Sequence, residues 1–277
     1  MSRYTIAVLG AADPEMTRIE GMLADAGIPA VHAGVVDPDT RRVRPGEPAT
    51  CIMRGGRPEP ARAALSGHHV LLVEAILDAE SDWLGETASA VRVDHHSPGD
   101  PGYGRPPAGF FPASSLGQVL DLLHGAGPIR ADDILCAAAD HCLAAAYRGE
   151  CPGVQPDELY RWRLRQRAAF QGRPEADIVR DGEQALKAIL AAPLIPLGDV
   201  VVRDLRGQRV SELPDAQARS GASVLCDGLP GRDSRQKVNL MGSAEACRAF
   251  VEMAPALGLV EAYGDPARGI VGAYRGR

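Results

Sequence analysis

The chain predicts an α/β protein: a larger N-terminal domain on a parallel sheet with helices on both faces, followed by a smaller α/β domain. Three observations carry that expectation. Short apolar runs at Thr5–Leu9, His68–Val73 and Val91–Val93 alternate with segments of helical period, the pattern of strands joined by helical crossovers. Two prolines within Pro193-Leu194-Ile195-Pro196-Leu197-Gly198 then punctuate the chain. Beyond them the pattern changes to short strands at Val200–Val202, Ser223–Cys226 and Lys237–Met241 with one helix at Ala244–Ala256. The expected domains are therefore 1–192 and 199–277, joined by a linker at 193–198.

Thr5–Leu9 reads as a buried strand because every residue after Thr5 is aliphatic. Pro14–Ala26 places Met16, Ile19, Met22 and Leu23 on one helical face and ends at Gly27. The stretch 37–60 is dense in Pro, Gly and Arg and reads as irregular. His68–Val73 and Val91–Val93 are further strands, and Pro98–Pro112 is a loop by composition. Ser114-Ser115 can cap a helix over Leu116–His124 that ends at Gly125. Asp132 or Asp133 can cap an alanine-rich helix running through Tyr147 to Gly149, and Pro156–Phe170 and Gly182–Ala192 read as two more.

Of the 277 residues 45% are hydrophobic and only 4% aromatic, so aliphatic and alanine side chains must fill the cores. The net charge of -6 argues against a long duplex nucleic acid as partner, whose footprint is a basic surface. No apolar run is long enough for a membrane span and no signal peptide is evident, so a cytoplasmic protein is expected. The six cysteines form no CxxC pair and are expected to be reduced thiols.

The residues that carry chemistry gather after strands. Asp94-His95-His96 follows Val91-Arg92-Val93, so a carboxylate and two imidazoles leave a strand at its C-terminal edge, where open α/β sheets place ligands. That donor set suits Mn²⁺, Fe²⁺ or Zn²⁺. Glu74 ends the previous strand, and Asp13 and Glu15 follow the first. Asp140-His141 lies in the alanine-rich helix. Each has a plainer reading: Asp13 before Pro14 is an ordinary helix start, and Glu15 favours a helix dipole.

In order and spacing these residues resemble the DHH phosphoesterase superfamily. The tripeptide Asp94-His95-His96 is followed by a Pro/Gly-rich loop and then by Ala113-Ser114-Ser115 opening a helix, as in that family. Glu74 stands where the family has an aspartate, and Asp140 matches the aspartate after the serine-capped helix. Leu9, Asp13 and Glu15 occupy a first motif that in the family reads histidine, aspartate, aspartate. Gln236–Met241 and Gly264–Gly269 more faintly resemble the strand and glycine-rich loop of the family's C-terminal substrate-binding domain.

The resemblance implies one or two Mn²⁺ ions, or another divalent metal, on Asp13, Glu15, Glu74, Asp94, His95 and Asp140. It implies hydrolysis of a short oligonucleotide or small phosphoester in a cleft between two domains. His96 would contact the phosphate or protonate the leaving oxygen, with Asp94 in an orienting role. Ser114, Ser115, Arg235 and Arg268 are the expected phosphate partners, and a homodimer is compatible with it. Two other readings stand beside it: a binding or regulatory protein on a scaffold that has lost hydrolysis, and a different metalloenzyme using Cys142 and Cys151 near Asp140-His141.

Overall fold

The structure, a computed structural model, describes residues 4–36, 39–123, 128–229 and 235–276. It divides into two compact units: residues 1–103 with 111–137, and residues 104–110 with 138–277. Among the described residues no helix is long and apolar enough to cross a membrane.

The first unit contains β1 (Ile6–Leu9), α1 (Pro14–Asp25), β2 (Ala30–Val35), β3 (Arg41–Arg42), β4 (Cys51–Arg54) and β5 (Arg57–Glu59). It continues with α2 (Ala61–Leu65), β6 (His69–Val73), α3 (Glu80–Leu84) and β7 (Ser89–Val93). Helices α4 (Phe110–Ala113), α5 (Ser115–Leu122) and α6 (Ala131–His141) follow, the first and last of them crossing the division between units. The sheet runs β5-β4-β2-β1-β6-β7, with β3 beside β2. It is mixed: β2, β1, β6 and β7 are mutually parallel, whereas β3, β4 and β5 add antiparallel. The stretch 37–60, expected to be irregular, thus supplies three of the strands.

Strand β1 shows how the sheet is buried. Ile6 and Val8 join Val70, Leu72, Leu65 and Trp83 in a core under α2 and α3. Ala7 and Leu9 alternate to the other face, where α1 meets β1 and α5 meets β7. Helix α1 has the expected apolar face, with Met16, Ile19 and Leu23 fully buried. The expected end of α5 at His124–Gly125 lies outside the described residues.

The second unit contains α7 (Leu143–Tyr147), α8 (Pro156–Gln171), α9 (Glu175–Ala191), β8 (Leu194–Leu197), β9 (Val200–Asp204) and α10 (Leu213–Ser220). It closes with β10 (Val224–Asp227), β11 (Lys237–Met241), α11 (Ala244–Met253), β12 (Leu259–Asp265) and β13 (Ile270–Arg275). Its sheet runs β12-β13-β11-β10-β9-β8 and is antiparallel except between β9 and β10. Phe250 and Cys247 of α11 fill the core on one face, with Val238, Leu240 and Val271. Ala185 and Ile189 of α9 fill a second core with Leu213, Val224 and Met241.

That second core explains why the division does not fall at 193–198. Helix α9 buries its apolar face against this sheet, so the segment from Ala138 to Ala192 belongs with the second unit and not with the first. The expected linker is itself the edge strand β8, paired with β9 from Leu194 to Leu197. Pro196 is compatible with that position because one side of an edge strand needs no ladder donor.

Candidate metal centre

Strands β1, β6 and β7 are parallel neighbours, so their C-terminal ends share one edge of the first sheet. Gly10 N–H donates to Val73 O and Glu74 N–H to Val93 O, each at 2.9 Å, tying the three exits together. A Cβ on Gly10 would lie 2.0 Å from Glu74 O, so only glycine lets β1 leave the sheet this close to Glu74. Glu74 itself has φ +48°, a left-handed conformation that costs a residue with a side chain on the order of 1–3 kcal/mol. Such strain is retained where the surroundings over-determine it.

The Glu74 carboxylate meets the first histidine through a serine. Ser115 O–H donates to Glu74 Oε1 at 2.7 Å, and Ser115 Oγ lies 3.2 Å from His95 Nδ1. Because the hydroxyl proton goes to Glu74, Ser115 Oγ accepts from His95, which places the imidazole proton on Nδ1 and the lone pair on Nε2. His95 is fully buried, so its ring cannot turn toward water.

The second histidine is set by Asp94. Asp94 Oδ1 accepts from His95 N at 2.7 Å, His96 N at 3.1 Å and His96 Nδ1 at 2.7 Å. Burial alone would push this carboxyl up, but the bonds from His96 and the two backbone N–H groups hold it below the usual range. Asp94 therefore orients the His96 ring. The His95 and His96 rings stack, with centroids 4.4 Å apart and planes 24° apart. The His96 side chain is 47% exposed.

The loop after the histidines is fastened to the same turn. Gly102 N–H and the Gln118 amide both donate to Asp94 O, at 3.0 and 3.1 Å. A Cβ on Gly102 would lie 2.0 Å from Ala113 O and 2.7 Å from the His95 Cβ. A groove of about 530 Å³ adjoins this turn, lined by Val91, Val93, Phe111, Pro112, Gln118 and Leu120 among others.

Glu74, His95 and His96 each offer a ligand atom within 4.8 Å of the others, so the group could hold a metal ion. An ion with bonds of about 2.1 Å sets neighbouring ligand atoms roughly 3–4 Å apart, which this spacing accommodates. The fixed tautomers also fit, since a metal takes the lone-pair nitrogen while the other ring nitrogen donates to an orienting group. The donors do not decide which divalent cation it is.

The other expected residues have contacts of their own. Asp140 is the penultimate residue of α6, in the second unit, with its side chain 26% exposed. Asp13 is the N-cap of α1 and accepts from Met16 N at 2.6 Å. Glu15 is 1% exposed and accepts from Leu116 N at 3.0 Å, a carboxylate set at the start of α5. Among the described residues, neither is in the candidate ligand group with Glu74. Ser114 caps α5 by accepting from Gly117 N, while Ser115 bonds the ligand residues. Arg268 donates to the carbonyls of Asp140 and His141 at the end of α6. Arg235 pairs in bidentate fashion with Glu261 and lies over the Tyr274 ring.

Two contributors had no signal in the sequence. Gln118 anchors the histidine turn although it reads as an ordinary helical residue. Arg42 donates to Gly10 O at 2.6 Å, bringing a guanidinium to the turn after β1. Burial pushes that guanidinium down, against the favourable fields of Glu20 and Asp13. Neither a scan of protein-family models nor a search of curated proteins finds a match to this chain.

Proposed function

We propose that the chain binds one divalent cation, with Mn²⁺ the first candidate, at Glu74 and His95, and hydrolyses a small phosphorylated compound or short oligonucleotide. The observation that supports it most is the Glu74–Ser115–His95 chain at the strand exits, which fixes the tautomer a metal requires. One ion is favoured over two because Asp13 and Glu15 serve as helix-start acceptors and Arg42 already brings positive charge to the β1 turn.

When bound, the cation supplies Lewis acidity, polarising a phosphoryl oxygen and acidifying water. The chain's residues do the rest. Buried His95 and Ser115 hold the ligand geometry. His96 is more exposed than Glu74 and His95, and Asp94 steadies its Nδ1–H so that Nε2 is left to bind a phosphoryl oxygen or pass a proton to the leaving oxygen. The adjoining groove offers apolar walls to the organic part of a small substrate.

The test is turnover of dinucleotides, short oligonucleotides and a chromogenic phosphodiester with added Mn²⁺. We expect release of product by the parent and at least a hundredfold less by His95→Ala, the loss of several kcal/mol that a missing metal ligand brings. A His95→Ala protein as active as the parent removes the basis of the proposal. A second reading, metal binding without hydrolysis, is favoured by the structural use of Asp13 and Glu15. It is the outcome if Mn²⁺ binds but no phosphoester is turned over.

A further inference from the structure

Cys142 and Cys151 face one another inside the second unit with sulfurs 2.8 Å apart. Both are buried, at 5% and 2% exposure. The other four cysteines are buried as well.

The backbone brings the two together in a defined way. Cys142 breaks the alanine-rich segment, with φ -150° and ψ 48°, and stands as the cap residue between α6 and α7. Its N–H bonds back to Ala138 O and its carbonyl accepts from Ala146 N, so one residue closes one helix and opens the next. Gly149, at φ +76°, ends α7, and Glu150 N–H bonds back to Ala145 O, which returns the chain toward Cys142. Helix α7 is five residues long, too short to persist by its own backbone bonds. Its two ends are the places where the sulfurs meet.

We propose that Cys142 and Cys151 are a modification site that closes to a disulfide stapling the ends of α7. The sulfurs need approach by less than about 1 Å to reach the bond length of a disulfide, near 2.05 Å. The oxidant is a low-molecular-weight disulfide of the glutathione type. One protein sulfur attacks it, forming a mixed disulfide and releasing one thiol with the proton. The second protein sulfur then displaces the other thiol, forming the internal bond. The protein loses two electrons and two protons, and the small disulfide becomes two thiols.

The staple also fixes the chain two residues beyond Asp140, whose carbonyl Arg268 holds at 2.8 Å. The staple does not depend on the function proposed above.

The full chain is equilibrated with oxidised and reduced glutathione mixtures, alkylated and digested with trypsin without reduction. Cleavage after Arg130, Arg148 and Arg161 separates the cysteines onto the peptides 131–148 and 149–161. We expect these two peptides to be joined, two of the six thiols to be lost, and the melting temperature to rise on oxidation. The cross-link and the rise are expected to vanish in Cys142→Ser and in Cys151→Ser. A folded parent that keeps all six thiols across the series overturns the staple. So does a cross-link that persists in Cys142→Ser, which would assign the bond to Cys136.

Discussion

The Asp215 cluster of the second unit and the Glu74–Asp94 turn of the first settle carboxylate charge in opposite ways. In the second unit Asp215 takes two bonds from Arg163, at 2.7 and 2.6 Å, and one from Tyr147 O–H at 3.1 Å. Glu212 beside it takes bonds from Arg167 and Gln171. The space left among these side chains is about 10 Å³, no more than a single water fills. In the first unit Glu74 and Asp94 are held by a serine hydroxyl, backbone N–H groups and imidazole. The difference teaches how to tell a strut from a site. Where each carboxylate faces a guanidinium of the same chain in a filled space, the charges complete one another. Where hydroxyl, backbone and imidazole groups fix carboxylate and imidazole at a strand edge, the arrangement suits a cation from outside.

The largest expected effect comes from breaking the strut. Asp215→Ala leaves Arg163 buried without its carboxylate and is expected to cost about 3–5 kcal/mol of stability, read as a shift in urea midpoint. Manganese affinity per folded molecule is expected to stay the same. A loss under 1 kcal/mol contradicts the assignment of Asp215 as a strut.

Ser115→Ala tests the other half of the comparison. It removes the group that fixes the His95 tautomer, and we expect manganese affinity to fall by about 10–100-fold, the usual weight of an orienting partner behind a ligand. Calorimetric titration with MnCl₂ reads it, and an unchanged affinity dismisses the tautomer argument.

The acid limb of stability follows from Asp215. Burial would push its carboxyl up, but Arg163, with Arg167 and Tyr147, holds it below its ordinary value. A depressed carboxylate contributes its stability above the unfolded value of about 3.9 and loses it as pH falls through the folded value. Stability is expected to drop below about pH 4 by up to about 1.4 kcal/mol per unit from this group. Asp215→Asn is expected to flatten that drop by one proton, and an unaltered slope in the variant contradicts it.

The smallest change sharpens the contrast between two adjacent serines. Ser114→Ala removes the cap of α5 and is expected to cost about 1 kcal/mol of stability, with manganese affinity moving far less than in Ser115→Ala. Equal effects on affinity show that the two serines do not divide the work.

Much of the first unit was legible because each strand exit carries its chemistry in adjacent residues. Val91-Arg92-Val93 before Asp94-His95-His96 needs no partner to be read as a strand leading to a donor cluster, and Ser114-Ser115 before Leu116 reads as a helix start. What stayed hidden depends on contacts distant in sequence. The bond that Glu15 takes from Leu116 N–H depends on α5, about a hundred residues later. Strands β3, β4 and β5 are two to four residues long in an Arg- and Pro-rich stretch, and pairing rather than pattern makes them strands. The alanine run from Ala131 to Tyr147 carries no break signal, yet the chain turns at Cys142. Pro193-Leu194-Ile195-Pro196 signals an interruption correctly, but an edge strand tolerates the same prolines as a hinge.

The most direct measurement is calorimetric titration of metal-free protein with MnCl₂, parent beside His95→Ala. We expect one ion per chain in the parent and no measurable binding in a folded His95→Ala protein. A parent that binds no ion, or a His95→Ala variant that binds as tightly as the parent, contradicts a cation site at the exits of β6 and β7.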